Sequence, residues 1–397
     1  MKIIDTPDGR FPDAQDARPQ VQTLPIRFTG SGSEYFRIWI VNLLLILVTF
    51  TLYWPFARAR RIAYFQNNTL VGDDPLGFHA NPWKMFRGYL VVAGLGLAYA
   101  IASETAPLVG GVILLVFALL WPALWRASLQ FRLRNSSWRG VRLGFEGDMK
   151  GAYLAFAPLL LPVLGFVALG VLGPALAPGE GASPEERKRL GLMFAGMTAL
   201  VMLLFAAVMP WCLARIKQYQ HGGYRFAGER TELRTGTRAF YGLSFRTGGV
   251  MLLVLLIVGA VAGLGIALAG RSAAGVLAFT GAVALGYLLI PVLVVPYFTA
   301  TLQNLVWANT RSRNARFRSE LGFGALARVT LVNWLLIAVT LGLYWPFAQV
   351  RLTRVRLEAM ALQVKGSVND WLANAQQRDV GPLGDAAGDF FGIDMGL

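Results

Sequence analysis

The chain has 397 residues, 55% of them hydrophobic and only 15% charged. Soluble globular proteins carry about 25% charged residues, so an ordinary multidomain soluble protein is excluded. Disorder over most of the length is excluded too, because it needs low hydrophobicity and high charge. One cysteine, Cys212, and two histidines, His79 and His221, rule out a disulfide framework and leave no clustered zinc site; no metal or cofactor is expected.

Residues 1–25 are polar, carry Pro7, Pro12, Pro19 and Pro25, and lack the apolar core of a signal peptide. They read as a disordered arm ahead of a membrane domain spanning 26–368. Eight apolar segments follow, at 38–56, 88–103, 105–125, 151–177, 190–214, 248–270, 272–300 and 329–348. A membrane helix needs about 20 mostly apolar residues. The segments at 151–177 and 248–270 contain no charge and no polar stripe, unlike a helix on a soluble core. From residue 369 to 397 the chain is rich in Gly, Ala and Asp and reads as a flexible tail.

The formal net charge of +15 invites a nucleic-acid reading, but the placement of the charge argues otherwise. Of 37 Lys and Arg residues, 33 fall in the stretches 1–37, 57–87, 126–150, 215–246, 311–328 and 351–378. The other connections hold four: Arg187, Lys188, Arg189 and Arg271. Alternation of basic and non-basic connections is the positive-inside pattern. It predicts a multi-pass protein of the bacterial inner membrane, with both termini cytoplasmic and basic stretches that attract anionic lipid headgroups. The arginines lack the aromatic interleaving of a single-strand binder, so no nucleic-acid partner is expected.

The first and last apolar segments are copies. NLLLILVTFTLYWPFA at 42–57 matches NWLLIAVTLGLYWPFA at 333–348 at 12 of 16 positions, and Arg60 then matches Arg351. A weaker repeat runs through the basic stretches. A phenylalanine in a strand-like setting recurs at Phe28, Phe78, Phe145, Phe226 and Phe317. Turn signals stand at Asn67, Asn135, His221 and Ala308, and helical runs open at Pro55, Pro122, Pro210 and Pro296. The predicted unit is a membrane hairpin, a helix leaving the membrane, a turn, and a short strand. These strands are expected to form small cytoplasmic β-hairpin-like elements that pair into a small sheet with the five phenylalanines on its buried face. The two histidines read as turn or surface residues, Asp73 and Asp74 as a turn, and Cys212 as an apolar filler.

The copies raise a parity problem. Six crossings between them return the chain to its starting side, so full spans at both copies would run in opposite directions despite near-identical sequence. The predicted fold is therefore an all-α polytopic bundle of six full spans plus two re-entrant or short membrane segments, with eight spans as the alternative. Gly342 suits the turn of a re-entrant hairpin, whereas Thr51 holds that place in the first copy.

Asn42, Thr49, the run LYWPFARAR, and NNT followed by GFH resemble the DUF898 family over roughly residues 26–368. The family pattern has glycine where Thr51 stands and often tryptophan at Phe56 and Phe347. The resemblance implies a polytopic membrane protein of unknown function and supplies no catalytic residues. The sequence contains no Walker loop, H-E-x-x-H, C-x-x-C or G-x-S-x-G motif, so no enzyme is expected. The reading preferred on sequence is a transporter or channel for a small or amphipathic solute, suggested by the repeats and by Pro158, Pro162, Pro291 and Pro296 within segments. The alternative is a non-enzymatic scaffold in envelope or lipid homeostasis that binds anionic headgroups or a partner protein. The candidate vestibule is Asn42, Thr49, Tyr53, Trp54 and Arg60 with Asn333, Thr340, Tyr344, Trp345 and Arg351, the two sets packing about a pseudo-two-fold axis.

Overall fold

A computed structural model describes residues 21–173, 177, 179, 181–270 and 272–379. Strand β1 (Val21–Phe28) opens the chain, and one unit then recurs five times. The first hairpin is α1 (Gly32–Val48) and α2 (Trp54–Asn67), leading into β2 (Thr69–Val71) and β3 (Asp74–Phe78). The second is α3 (Pro82–Thr105) and α4 (Pro107–Arg134), followed by β4 (Ser136–Trp138), β5 (Val141–Arg142) and β6 (Gly144–Phe145). In the third, α5 (Met149–Phe156) and α6 (Leu160–Leu172) pack on α7 (Pro184–Gly222), before β7 (Tyr224–Phe226), β8 (Glu229–Arg230) and β9 (Glu232–Leu233). The fourth comprises α8 (Thr237–Ala269), α9 (Ala273–Leu289) and α10 (Val295–Trp307), then β10 (Thr310–Arg311) and β11 (Ala315–Ser319). The fifth is α11 (Phe323–Val339) and α12 (Trp345–Glu358), with β12 (Met360–Lys365) and a final helix α13 (Val368–Asp379).

The hairpins form a closed ring. Consecutive hairpins touch through α2 and α3, α4 and α5, α7 and α8, and α10 and α11, and the ring closes where α12 packs on α1. The register repeats at residue level. Pro55, Pro122, Pro210, Pro296 and Pro346 are all buried, each thirteen residues before the residue that closes its helix: Asn68, Asn135, Gly223, Asn309 and Ala359. The carbonyls of those five residues accept hydrogen bonds from the N–H groups of Thr29, His79, Glu146, Arg234 and Glu320, at 2.8–2.9 Å. At three of the closures the amide of Asn68, Asn135 or Asn309 donates back to the carbonyl four residues earlier, 2.8 Å in each case. This satisfies carbonyls that a helix end leaves unpaired.

Beneath the helices the strands close as well. Among the described residues there are twelve strand segments, but β5 with β6 and β8 with β9 are halves of two continuous stretches, which leaves ten strands. Antiparallel pairing runs from β1 through β2, β3, β4 and β5/β6 to β7, β8/β9, β10, β11 and β12, and β12 returns to β1 with Val21 opposite Lys365. Tight reversals at Arg139–Gly140 and Ala227–Gly228 have positive φ at both residues, 49° with 77° and 52° with 74°, as a two-residue hairpin turn of the primed type needs. The all-α expectation with small β-elements is thereby corrected: the sheet is a closed barrel. Its short strands pair between units, not within a local hairpin alone, so local pattern hides it.

Among the described residues six helices or helix pairs are long and apolar enough to cross a membrane: Pro82–Thr105, Val109–Arg134, Met149–Gly170, Pro184–Gly222, Thr237–Ala269 and Ala273–Trp307. Only 6–22% of each apolar window is buried within the molecule, so their outer faces need an apolar surrounding. Pro158 lies in a 3₁₀ turn between α5 and α6, and Pro291 in a π-helical turn between α9 and α10.

The two copies are helical hairpins. After α1 the chain turns at Phe50 and Thr51 (φ 47° and 72°), and after α11 at Leu341 and Gly342 (φ 48° and 93°). Tyr64 near the end of α2 donates to the Ser31 carbonyl before α1, 2.8 Å, so the chain has come back to where it entered. The N–H groups of Thr51 and Gly342 donate to Ile46 and Ile337, 2.8 Å each, closing both helices in the same way.

Two further expectations are corrected. Strand β1 already covers 21–25, part of the expected arm, while residues 1–20 lie outside the described residues. The expected tail begins as helix α13, because Val368, Trp371 and Leu372 share one helical face and are buried; residues beyond Asp379 are outside the described ones.

Candidate functional site

The ten vestibule candidates form two superposable sets of five. Thr49 Oγ1 donates to the Leu45 carbonyl at 2.7 Å and accepts from the Tyr53 N–H at 3.0 Å. Thr340 does the same with Leu336 and Tyr344, at 2.6 and 3.0 Å. The Arg60 and Arg351 guanidiniums lie over the Tyr53 and Tyr344 rings, both 5.5 Å from the centroid, while Trp54 and Trp345 are about half exposed. Asn42 and Asn333 are buried, and the side-chain oxygen of each lacks a partner. The threonines therefore fasten the turns, and their hydroxyls are fully engaged.

The sets do not face each other about a two-fold axis. Phe36 of α1 meets Phe347 of α12 at 5.6 Å, whereas α2 packs on α3 and α11 on α10. Neighbouring units in a ring meet head to tail, so the copies are related by one step around it. The phenylalanine register also needs correction. The five equivalent hydrogen bonds align Phe28, Phe78 and Phe145 with Leu233 and Ser319, not with Phe226 and Phe317. Phe28 and Phe145 pack outward against helix-borne aromatics, Phe65 and Tyr219, while Phe226 and Phe317 point into the barrel core.

Sequence reasoning missed a chamber of about 550 Å³ lined by the inward residues of the barrel. The five descending strands line it with Ile26, Leu76, Leu143, Thr231 and Phe317, and the ascending ones with Val71, Trp138, Phe226, Ser312 and Leu362. These are corresponding positions: two before the five aligned residues, and two after each strand's start. Leu133, Trp307 and Leu357, each two residues before a helix closure, form part of the roof together with Gln303, Thr353 and Arg356. Helix α13 covers the turn end of the barrel, where Trp371 meets Phe226 at 5.3 Å and Arg139 Nη1 donates to Asn369 Oδ1 at 2.9 Å. The thirteen-residue spacing of proline to helix closure was the signal that would have set the strands in register.

Polar groups are few and unevenly placed. Glu229 is occupied by structure: its carboxylate accepts from Ser312 Oγ (2.7 Å) and from Asn314 N (3.0 Å) and Nδ2 (2.5 Å). Arg225 is paired with Glu146 at 2.6 Å. Arg356 Nε donates to Gln303 Oε1 at 3.0 Å, and Gln303 Nε2 donates to the Arg356 carbonyl at 2.8 Å. The Arg356 side chain is exposed and lines the chamber, and desolvation by its surroundings holds the guanidinium below its usual pKa. Burial also raises the Tyr224 phenol to about 12, against a smaller lowering influence from the Gln220 hydrogen bond and Arg132. On the roof side Arg58 is likewise lowered, by burial first and then by Arg132 and Arg61. His221, read as a turn or surface residue, is buried; its Nδ1 lies 3.0 Å from Thr310 Oγ1 and its ring packs edge-on to Trp307 at 4.8 Å. Among the described residues no three His, Cys, Asp or Glu side chains gather as a metal site.

A protein named "Inner membrane protein YjgN" from Salmonella typhimurium is 23% identical over 86% of this chain and 88% of its own length. One of the same name from Escherichia coli O157:H7 is 28% identical over 36% of each. No solved structure matches the chain. The family described as "Bacterial protein of unknown function (DUF898)" matches residues 23–179 and 181–390, and the chain belongs to that family.

Proposed function

We propose that this protein is a multi-pass inner-membrane transporter for a small amphipathic solute, with the barrel chamber as its cytoplasmic station. The observation that carries this reading is the chamber itself: about 550 Å³, mostly apolar, with a few polar groups in its lining. Small-molecule sites have volumes of about 300–1,000 Å³ and this kind of lining. In this reading the barrel and both termini face the cytoplasm, which the distribution of basic residues supports. The two terminal hairpins dip into the membrane and return. Their tips, Phe50 and Leu341, are 89% and 94% exposed, which suits lipid and not water.

One observation favours the scaffold reading. The hydroxyls of Ser103, Thr198 and Thr280 donate to carbonyls of their own helices, so these residues contribute no polar lining between spans. Proteoliposomes separate the two. A transporter releases a preloaded fluorescent amphiphile, and filling the chamber by Ala315→Trp stops release while the protein still inserts. A scaffold gives no release above protein-free vesicles with either form, and that result would end the transport proposal.

A further inference from the structure

The unsatisfied polar groups of the chamber are all donors. Trp138 and Trp371 are buried, at 3% and 8% exposure, and both indole N–H groups lack an acceptor. Both rings line the chamber and both lean on Phe226, at 5.7 and 5.3 Å. At the roof, Arg356 spends Nε on Gln303, and no carboxylate among the described residues lies within ion-pair distance of its guanidinium. Lys217 stands within electrostatic reach of Arg356, and its ammonium donates only to the neutral Gln220 Oε1, 3.1 Å. The acidic residue of the lining, Glu229, is committed to Ser312 and Asn314.

Buried donors are normally paired, and the two indoles are not; the exposed Arg356 guanidinium adds positive charge to the same lining. A chamber with spare donors and spare positive charge is completed by a molecule bringing acceptor oxygens, negative charge and apolar surface. We infer that the chamber binds a single-chain amphiphile with an anionic oxygen-acid head, carboxylate or phosphate, its head at Arg356. The head's acceptor oxygens take up the unpaired indole N–H groups, and the apolar body lies along the barrel wall. This inference rests on the chamber being a ligand site, as the proposed function holds, and adds the class of ligand. Fatty carboxylates and alkyl phosphates share the required chemistry.

The test uses the full-length protein in nanodiscs of phosphatidylcholine, titrated calorimetrically with dodecanoate, dodecyl phosphate and dodecanol against protein-free discs. Both anions are expected to saturate one site at least about tenfold more tightly than dodecanol, since hydrogen bonds to charged groups carry that much discrimination. Comparison of the two acids names the head. Arg356→Gln is expected to erase the anion preference while leaving dodecanol binding in place, and Arg356→Lys to keep most of it. Trp138→Phe and Trp371→Phe are expected to weaken binding severalfold without altering the preference for anions. Equal affinity for dodecanol and the acids, or an anion preference that survives Arg356→Gln, would overturn the inference while leaving the chamber as a site. Absence of saturable binding by all three, or binding unchanged in Ala315→Trp, would overturn the chamber reading too.

Discussion

Removing the indole of Trp371 is expected to detach α13 and leave the barrel standing. The helix has 12 residues, a length at which an isolated helix is marginal in water. Its attachment rests on Val368, Trp371 and Leu372, which are 2%, 8% and 6% exposed, and on the Arg139–Asn369 hydrogen bond. Truncating a buried tryptophan to alanine costs about 3–5 kcal/mol. Because α13 ends the described chain and joins no strand ladder, that cost falls on its docking equilibrium. At about 1.4 kcal/mol per factor of ten, the open fraction rises by at least about a hundredfold. Amide exchange on Trp371→Ala would show it: protection across 371–379 falls by that factor, while Leu24, Ile26 and Leu362 in β1 and β12 keep theirs. Equal loss in the barrel strands would mean that Trp371 is a core pillar, and unchanged exchange in α13 would mean that the helix is held by something else. Either result refutes the reasoning.

Further predictions follow from the turns, the buried amides and the seam. Gly342→Thr places a β-branched residue at φ 93° and is expected to cost about 1–3 kcal/mol. Thr51→Gly relieves the same strain but loses the hydroxyl contact to Tyr89, 2.8 Å, and is expected to lie within about 1 kcal/mol of the native protein; thermal melts in detergent check both. Asn42→Leu with Asn333→Leu removes two buried amides whose oxygens have no partner; retained stability with lost flux would restore the vestibule, whereas a lowered melting temperature with normal flux per folded protein would confirm them as helix contacts. Gly32→Val drives a methyl group into Phe347, only 2.4 Å from where even a Cβ would sit, and is expected to loosen the α1–α12 contact by about 1–3 kcal/mol, measured by denaturation. The Tyr224 phenol, near 12 when folded and 10 when unfolded, contributes stability that is intact below pH 10 and lost as pH rises toward 12; Tyr224→Phe should flatten that loss in alkaline unfolding curves.

The membrane helices and the paired terminal hairpins were legible because their signals are local. Length, apolar composition and the 12 matched positions of the two copies each sit within one window of sequence. The reversal at Thr51 was less plain, since threonine rarely takes positive φ and here does so beside Tyr89. The barrel was hidden for a different reason. Strands of two to eight residues carry little periodicity, and most of their partners lie in another unit, so only the register of the whole ring reveals them. Phe226 and Phe317 misled because aromatic residues occupy inward positions as readily as the equivalent outward ones. The chamber donors gave no motif at all: Trp138, Arg356 and Trp371 lie far apart in sequence and meet only once the ring has closed.

Ring closure also explains why the units could diverge where they did. An open sheet of short strands would expose two edges, a hazard for mispairing; pairing β12 with β1 removes both and brings the first and last hairpins together. The positions that hold the ring are correspondingly uniform: five buried prolines and five equivalent backbone hydrogen bonds. The inward positions are not. Around most of the barrel they are Ile26, Val71, Leu76, Trp138, Leu143 and Phe226, but on the adjacent strands β8/β9 and β10 they become Thr231 and Ser312. Gln303 on α10 and Arg356 on α12 bring further polarity to the roof. Both hydroxyls are paired, Thr231 with the His221 carbonyl and Ser312 with Glu229, so this polarity costs the barrel little. Polarity gathered into one sector of an otherwise uniform ring orients a guest with two unlike ends, and an amphiphile is such a guest.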